Sequence, residues 1–359
     1  MFKKTLDEEL KRARTIPLTR IEHAGSEIFL FRADLLEAGV KRSIGCCLLA
    51  HYLETGRANE STQALVVHGA GNTVSSVKLA VEKFGLKAEV IAVIYAETSA
   101  RVIHDLKARD IDVVAAGPRS EGQRGRLSVA EELCSRESGY VLIEQHEEPL
   151  IVDIQNKTFG RRIAEGIRDP THFIAGVGTG GTVFGIGAAL RKANPKIKVI
   201  ALEGVGSTLS LWQAYARVQD EPFEKQKIVI EKTLSAYADA GMIVSLETHP
   251  DADREEWFEI SIDFPESTEG VLGIEGLGVG NPTELIKNHI SMLNAVRIVT
   301  DTEAARGMEA LEAYGIRAVE SAGANFFAAL RLAEELQSRG EKGRIITIVT
   351  ASSSSLIQA

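Results

Sequence analysis

The densest chemical signal in the chain is the run Gly176-Val177-Gly178-Thr179-Gly180-Gly181-Thr182, which follows an apolar stretch and precedes a helix-forming one. Glycines let a backbone turn tightly and approach a ligand with no Cβ in the way. A helix opening at that point offers free N–H groups and the positive end of its dipole to a phosphate. Thr179 and Thr182 add hydroxyl donors. The same residues also fit a dinucleotide pattern, Gly-x-Gly-x-x-Gly at Gly176, Gly178 and Gly181, with Glu203 ending the next strand where a ribose-binding acid sits. The loop predicts a phosphate site without saying whose phosphate. A second turn, Gly69-Ala70-Gly71 ahead of Asn72 and Thr73, suits a helix start or a ligand contact. His68 and His146 flank predicted loops and read as structural; no His, Cys or Asp spacing indicates a metal, so none is expected.

Such loops need elements to hold them. Strand-like runs fall at 27–31, 64–68, 89–94, 112–115, 173–177, 198–202 and 344–349. Helix-like stretches at 40–54, 73–84, 99–109, 127–137, 156–167, 182–193 and 324–339 lie between most of them. Short apolar runs alternating with amphipathic helices predict βαβ units and parallel sheets, an α/β fold. One cluster precedes residue 120 and another follows 170, which predicts two lobes, each a largely parallel twisted sheet flanked by helices. The segment 204–270 breaks this rhythm, holds both tryptophans (Trp212 and Trp257), and reads as an insertion or lid.

The bulk numbers exclude several classes. Of 359 residues, 44% are hydrophobic and 25% charged, as in globular proteins. A net charge of −9 argues against nucleic acid or an anionic membrane as the main partner. Three cysteines, Cys46, Cys47 and Cys134, make no disulfide framework, so a reducing compartment is expected. The first fifteen residues are charged throughout, unlike a signal peptide, and no apolar run approaches the length of a membrane span. A soluble cytoplasmic protein is the expectation.

Several motifs in order then resemble the fold-type II pyridoxal-phosphate enzymes, in their cysteine synthase / cystathionine β-synthase branch. Thr15-Ile16-Pro17-Leu18 resembles the family's Arg-Thr-Pro-Leu opening, and Glu37-Ala38-Gly39-Val40-Lys41-Arg42-Ser43 its Gly-Ser-Val-Lys-Asp-Arg motif. Gly69-Ala70-Gly71-Asn72-Thr73 is similar to the Ser-Gly-Asn-Thr loop. The stretch Gly176 to Thr182 matches the branch's Gly-x-Gly-Thr-Gly-Gly-Thr phosphate loop at every position. GLGVGNPTEL and the YGIRAVESAGAN stretch resemble later glycine and serine turns, and IVTASSSS ends a strand where the family places a serine. The resemblance covers most of the chain outside 204–270.

What the resemblance implies is specific. Lys41 would carry pyridoxal 5′-phosphate as a Schiff base, and Asn72 would bond the ring oxygen. Gly176, Val177, Gly178, Thr179, Gly180, Gly181 and Thr182 would hold the phosphate, and Ser352, or Ser353 one place on, would meet the pyridine nitrogen. Gly69, Ala70, Gly71, Thr73 and Gln145 would face the substrate. The cofactor would lie between a larger lobe, residues 1–34 and 151–359, and a smaller one, 35–150, and the resemblance implies a homodimer. The expected reaction is β-replacement on a small O-activated serine-like amino acid through an aminoacrylate, with a small nucleophile as second partner. β-Elimination of the dehydratase or desulfhydrase type, and a nicotinamide-dependent oxidoreductase, remain alternatives. The family's hydroxyl side chains are replaced by Gly69 and Ala70, which implies an atypical substrate or nucleophile.

Overall fold

The alternation of apolar runs and amphipathic stretches folds as βα units around two separate sheets. The computed structural model describes residues 1–69, 71–118, 122–249, 257–263, 274, 276–278 and 280–352. Helix α1 (Phe2–Arg14) leads into the hairpin β1 (Leu18–His23) and β2 (Ser26–Arg32), and a 3-10 turn at Gly39–Lys41 opens α2 (Arg42–Thr55). The smaller sheet is built from β3 (Ala64–His68), α3 (Asn72–Phe84), β4 (Glu89–Ile94), α4 (Ala100–Ala108), β5 (Asp112–Ala115), α5 (Gly122–Arg136) and β6 (Tyr140–Leu142). Its strands are parallel, in the order β5-β4-β3-β6. Every residue of β3 is buried, because helices cover both faces; that is why ALVVH reads as a continuous apolar run.

The chain returns through α6 (Leu150–Gln155), a π turn at Asn156–Gly160 and α7 (Arg161–Gly166). Then come β7 (His172–Gly176), α8 (Gly181–Ala193) and β8 (Lys198–Gly204). With β11 (Ala295–Val299) and β12 (Arg344–Val349) they complete a six-stranded sheet, ordered β1-β2-β12-β7-β8-β11 and parallel except for the β1–β2 hairpin. Helices α12 (Asp301–Glu312) and α13 (Glu320–Ser338) cover one face, over Ile28, Leu30 and Ile345; α7 and α8 cover the other, over Phe31, Phe173 and Ile346. No helix among the described residues is long and apolar enough to cross a membrane.

Where the rhythm breaks, the described part of 204–270 folds as α9 (Leu209–Val218), α10 (Phe223–Asp239) and an antiparallel pair, β9 (Ile243–His249) with β10 (Trp257–Asp263). These gather a small core of their own around Ile230, Leu234, Tyr237 and Met242. Glu203, at the end of β8, anchors them: it accepts hydrogen bonds from Ser210 N at 3.1 Å and from the Tyr237 hydroxyl at 3.2 Å. Helix α11 (Glu284–His289) follows, and its Lys287 ammonium lies 4.4 Å from the Trp212 ring centroid.

Candidate active site

The turn Gly39–Lys41 is pinned to the far end of the larger sheet, because Val40 N donates to Thr350 O at 2.9 Å just beyond β12. This delivers Lys41 into a cavity of about 470 Å³ that both sheets line, a size suited to a cofactor with its substrate. Lys41 Nζ donates to Thr179 Oγ1 at 3.3 Å. Burial of its ammonium end lowers its pKa to about 8, so the amine is readily neutral and nucleophilic. Beside it, Arg42 turns away into a buried ion pair with Glu9 of α1, at 3.2 Å.

The glycine loop joins β7 to α8. Gly180 caps α8 with φ +89°, a left-handed backbone that favours glycine. A Cβ on Gly178 would stand 2.6 Å from the carbonyl oxygen of Gly276, so the crossing turn also demands glycine there. The first N–H groups of a helix have no partner within it. Buried at the same helix start, Thr182 Oγ1 has no hydrogen-bond partner among the described residues. Donors without acceptors, beside a loop with no Cβ in the way, fit a phosphate group. Of the predicted loop residues, Gly176, Gly178, Thr179, Gly180 and Thr182 line the cavity; Val177 and Gly181 turn into the packing below. Asn325 of α13 clasps the loop's beginning: its Oδ1 accepts from Gly176 N at 2.7 Å while its Nδ2 donates to Ile348 O at 2.9 Å.

The opposite wall comes from the smaller sheet. Gly69, Gly71, Asn72 and Thr73 line the cavity at the start of α3, and Gln145 joins them from the loop after β6. Ala70 lies outside the described residues. Gln145 Nε2 donates to His68 O at 2.9 Å, which ties the two loops together. His146 also faces the cavity, and behind it stand His68 and Glu144. Burial, aided by His68, Arg126 and Lys41, holds the His146 pKa well below its ordinary value. Burial pushes Glu144 up, but His68 and the N–H groups of His146 and Glu147 outweigh it and keep that carboxyl below its usual range. The nitrogen and oxygen atoms of these three side chains lie within 4.8 Å of one another, a grouping that linear spacing does not reveal.

Two placements differ from the sequence expectation. Ser352 lines a separate cavity with Arg32, Asp34 and Arg317, whereas the hydroxyl that the end of β12 presents to the main cavity is Thr350. Its Oγ1 lies 2.9 Å from Ser321 Oγ, a second hydroxyl on the cavity wall. Side chains alternate only while the strand lasts, and β12 ends at Val349, so Ser352 is not held to the strand's register; Ser353 lies outside the described residues. Glu203 is not presented as a ribose ligand: it is buried, engaged by Ser210 and Tyr237, and burial raises its pKa to about 7. The dinucleotide reading loses its acid. Sequence reading also passed over Asn325 and the His68–His146 contact, since neither leaves a local pattern.

A buried lysine amine beside a glycine-rich helix start that suits a phosphate group lies in a cavity lined by two largely parallel sheets. The family model for "Pyridoxal-phosphate dependent enzyme" matches residues 8–245, and the chain belongs to that family. It is a pyridoxal-phosphate enzyme. It is 27% identical over 179 residues to the O-acetylserine dependent cystathionine beta-synthase of Bacillus subtilis (strain 168), covering 49% of this chain and 57% of that one. It is 37% identical over 100 residues to the cysteine synthase of Staphylococcus aureus (strain Mu50), covering 27% and 32%. The matched stretches thus span about half of the first relative and a third of the second. The structure of O-acetylserine dependent cystathionine beta-synthase from Helicobacter pylori shares the fold, with a TM-score of 0.71 at 22% identity over 99% of this chain and 97% of that one.

Proposed function

We propose that this enzyme performs β-replacement: it exchanges a leaving group on the β-carbon of a small amino acid, of the O-activated serine kind, for a small nucleophile. The observation that carries this reading is the contact of Lys41 Nζ with Thr179 Oγ1, which sets the reactive amine against the phosphate loop. Lys41 would hold the cofactor, residues 176–182 its phosphate, Asn72 its ring oxygen, and the Thr350–Ser321 hydroxyl pair its ring nitrogen. Bound there, pyridoxal phosphate supplies an electron sink that lets an α-proton and a β-substituent depart. Lys41 Nζ, with its lowered pKa, takes the α-proton and holds it. The N–H groups at the start of α3 and the Thr73 hydroxyl bind the α-carboxylate, with Gln145 bordering it. Neutral hydroxyls, not a carboxylate, at the ring-nitrogen end favour loss of a β-substituent over reactions through a long-lived carbanion.

O-Acetyl-L-serine, the donor in the names of two relatives, is the first compound to assay, with thiols and amines offered as nucleophiles. Gly69 in place of a family hydroxyl leaves the carboxylate end with fewer side-chain donors, so a donor other than O-acetylserine is within the proposal. Substituted amino acid as main product supports β-replacement. Ammonia and a 2-oxo acid alone, whatever nucleophile is present, overturn it in favour of β-elimination. We propose a cytoplasmic homodimer as its working form; light scattering that returns the mass of one chain overturns that part.

A further inference from the structure

Replacement needs a group that moves the nucleophile's proton, and Lys41 is committed to the α-carbon. We propose that His146 is that group: its Nε2 faces the cleft and takes the proton of the incoming thiol, amine or hydroxyl, while His68 and Glu144 orient it. The inference deepens the β-replacement reading and rests on it.

Parallel pairing of β3 with β6 brings the end of one strand beside the loop leaving the other. His146 Nδ1 thereby lies 3.2 Å from His68 Nε2, with ring centroids 4.3 Å apart. Glu144 Oε1 lies 3.5 Å from His68 Nε2 and 3.9 Å from His146 Nδ1. Both rings are buried, at 0% and 4% exposure, so neither is a solvated surface histidine. His146 nevertheless lines the cavity, and its Nε2 makes no hydrogen bond among the described residues. In the tautomer that donates Nδ1–H to a neutral His68, the Nε2 lone pair is left without a partner among the described residues, on a ring that lines the cleft. The charged and titratable groups around it are the Glu144 carboxylate and the His68 ring behind, Arg126 from α5 and Lys41 from the turn before α2. Burial first, and Arg126 and Lys41 after it, keep the resting ring neutral and so able to accept a proton; the carboxylate stabilises the imidazolium that forms.

The exchange balances as R–X + H–Nu giving R–Nu + H–X. While Lys41 Nζ holds the α-proton, the C–X bond breaks with its electron pair on X. The nucleophile's lone pair then forms the bond to the β-carbon as its hydrogen passes to His146 Nε2, which releases it to X⁻, and Lys41 returns the α-proton to the α-carbon. Nothing is oxidised or reduced. The three side chains are also close enough to grip a cation, but Glu144 Oε1 already accepts from the N–H groups of His146 and Glu147. Lys41 and Arg126 add positive charge on the same side. A proton carrier suits these surroundings better than a metal.

The test compares holoenzyme with His146→Gln and His146→Ala. The visible spectrum and melting temperature should stay unchanged, and loss of the leaving group without nucleophile should stay within about twofold of wild type, because proton transfer to the nucleophile plays no part there. Replacement should slow by roughly a hundredfold, more for nucleophiles of higher pKa, with partial rescue of the Ala variant by imidazole. Equal slowing of both halves would make His146 structural and overturn the proposal, as would unchanged replacement. Wild-type activity abolished by EDTA and restored by zinc would overturn it in favour of a metal site. If the replacement reading itself is wrong, wild-type enzyme yields only keto acid, which is visible before any variant is made and removes the base role with it.

Discussion

A lysine amine attacks a carbonyl only when neutral, and at Lys41 burial does most of that work. With a pKa of about 8, about a quarter of such amines are neutral at pH 7.5, against about one in a thousand for an ordinary lysine. Attachment of pyridoxal phosphate to cofactor-free enzyme should therefore quicken with pH and level off above about 8. Stopped-flow absorbance measures this, and a midpoint near 10.5 would remove burial as the cause. Borohydride trapping should leave the cofactor's mass on the peptide containing Lys41, and Lys41→Ala should not be labelled. Thr182→Val makes the complementary case, since it swaps a partnerless buried hydroxyl for a methyl of similar size. Cofactor-free stability should hold or rise by about 1 kcal/mol, while cofactor affinity falls by roughly tenfold or more, the worth of one hydrogen bond to a charged group. Unfolding and cofactor titrations read the two separately; affinity unchanged would place the phosphate elsewhere. At this scale the motifs single out Lys41 and Asn72, and both line the cavity. The sequence was illegible at Thr350, which lies one residue past a strand end.

Loops and helix starts were the most readable elements, because glycine punctuation and apolar runs are local signals. The strands at 64–68, 89–94, 112–115 and 344–349 fall where their apolar runs lie. The stretch at 156–167 behaves otherwise: it is the second half of a longer helix interrupted by a π turn at Asn156–Gly160, a backbone register that periodicity does not encode. Helix α1 escaped notice under its charges, although Phe2, Leu6, Leu10 and Ala13 make an apolar stripe at three- and four-residue spacing. The glycine loop yields a prediction proper to this scale. Gly178→Val should cost both cofactor retention and fold stability, the latter by about 1–3 kcal/mol, since its Cβ meets the backbone oxygen of Gly276 and not a side chain that can swing aside. Calorimetry of the cofactor-free variant checks this; an unchanged melting temperature would mean that the crossing turn yields freely.

In the molecule as a whole, two sheets and the inserted unit hang on a few buried polar fastenings, and one of them titrates. Burial raises Glu203 to about 7 from its ordinary 4.5, partly offset by hydrogen bonds from Ser210, Ser207 and Tyr237. Between those pH values the folded chain binds more protons than the unfolded one, so stability falls as pH rises through that window. The slope should amount to about 3 kcal/mol at most and flatten in Glu203→Gln. Urea unfolding at pH 5 and pH 7.5 measures it, and a slope that survives in the variant assigns the effect to another group. Alternation of strand and helix made the α/β class legible, and the break at 204–270 falls where α9, α10 and the β9–β10 pair gather a small core of their own. That unit's fastening was not legible, because an acid at a strand end looks the same whether it faces a ligand or a tyrosine.

The order β1-β2-β12-β7-β8-β11 has a consequence in time. The β1–β2 hairpin meets the rest of its sheet only through β12, which a ribosome makes roughly 300 residues later, about fifteen seconds to a minute at ordinary elongation rates. Until then Ile28, Leu30 and Phe31 lack the sheet that buries them, a span in which a chaperone has the most to do. The turn that carries Lys41 waits as well, since its anchor is the carbonyl of Thr350. A chain stopped short of that strand would own every glycine of the 176–182 loop and still have no placed lysine, so Lys41 is set in position only once β12 has been made.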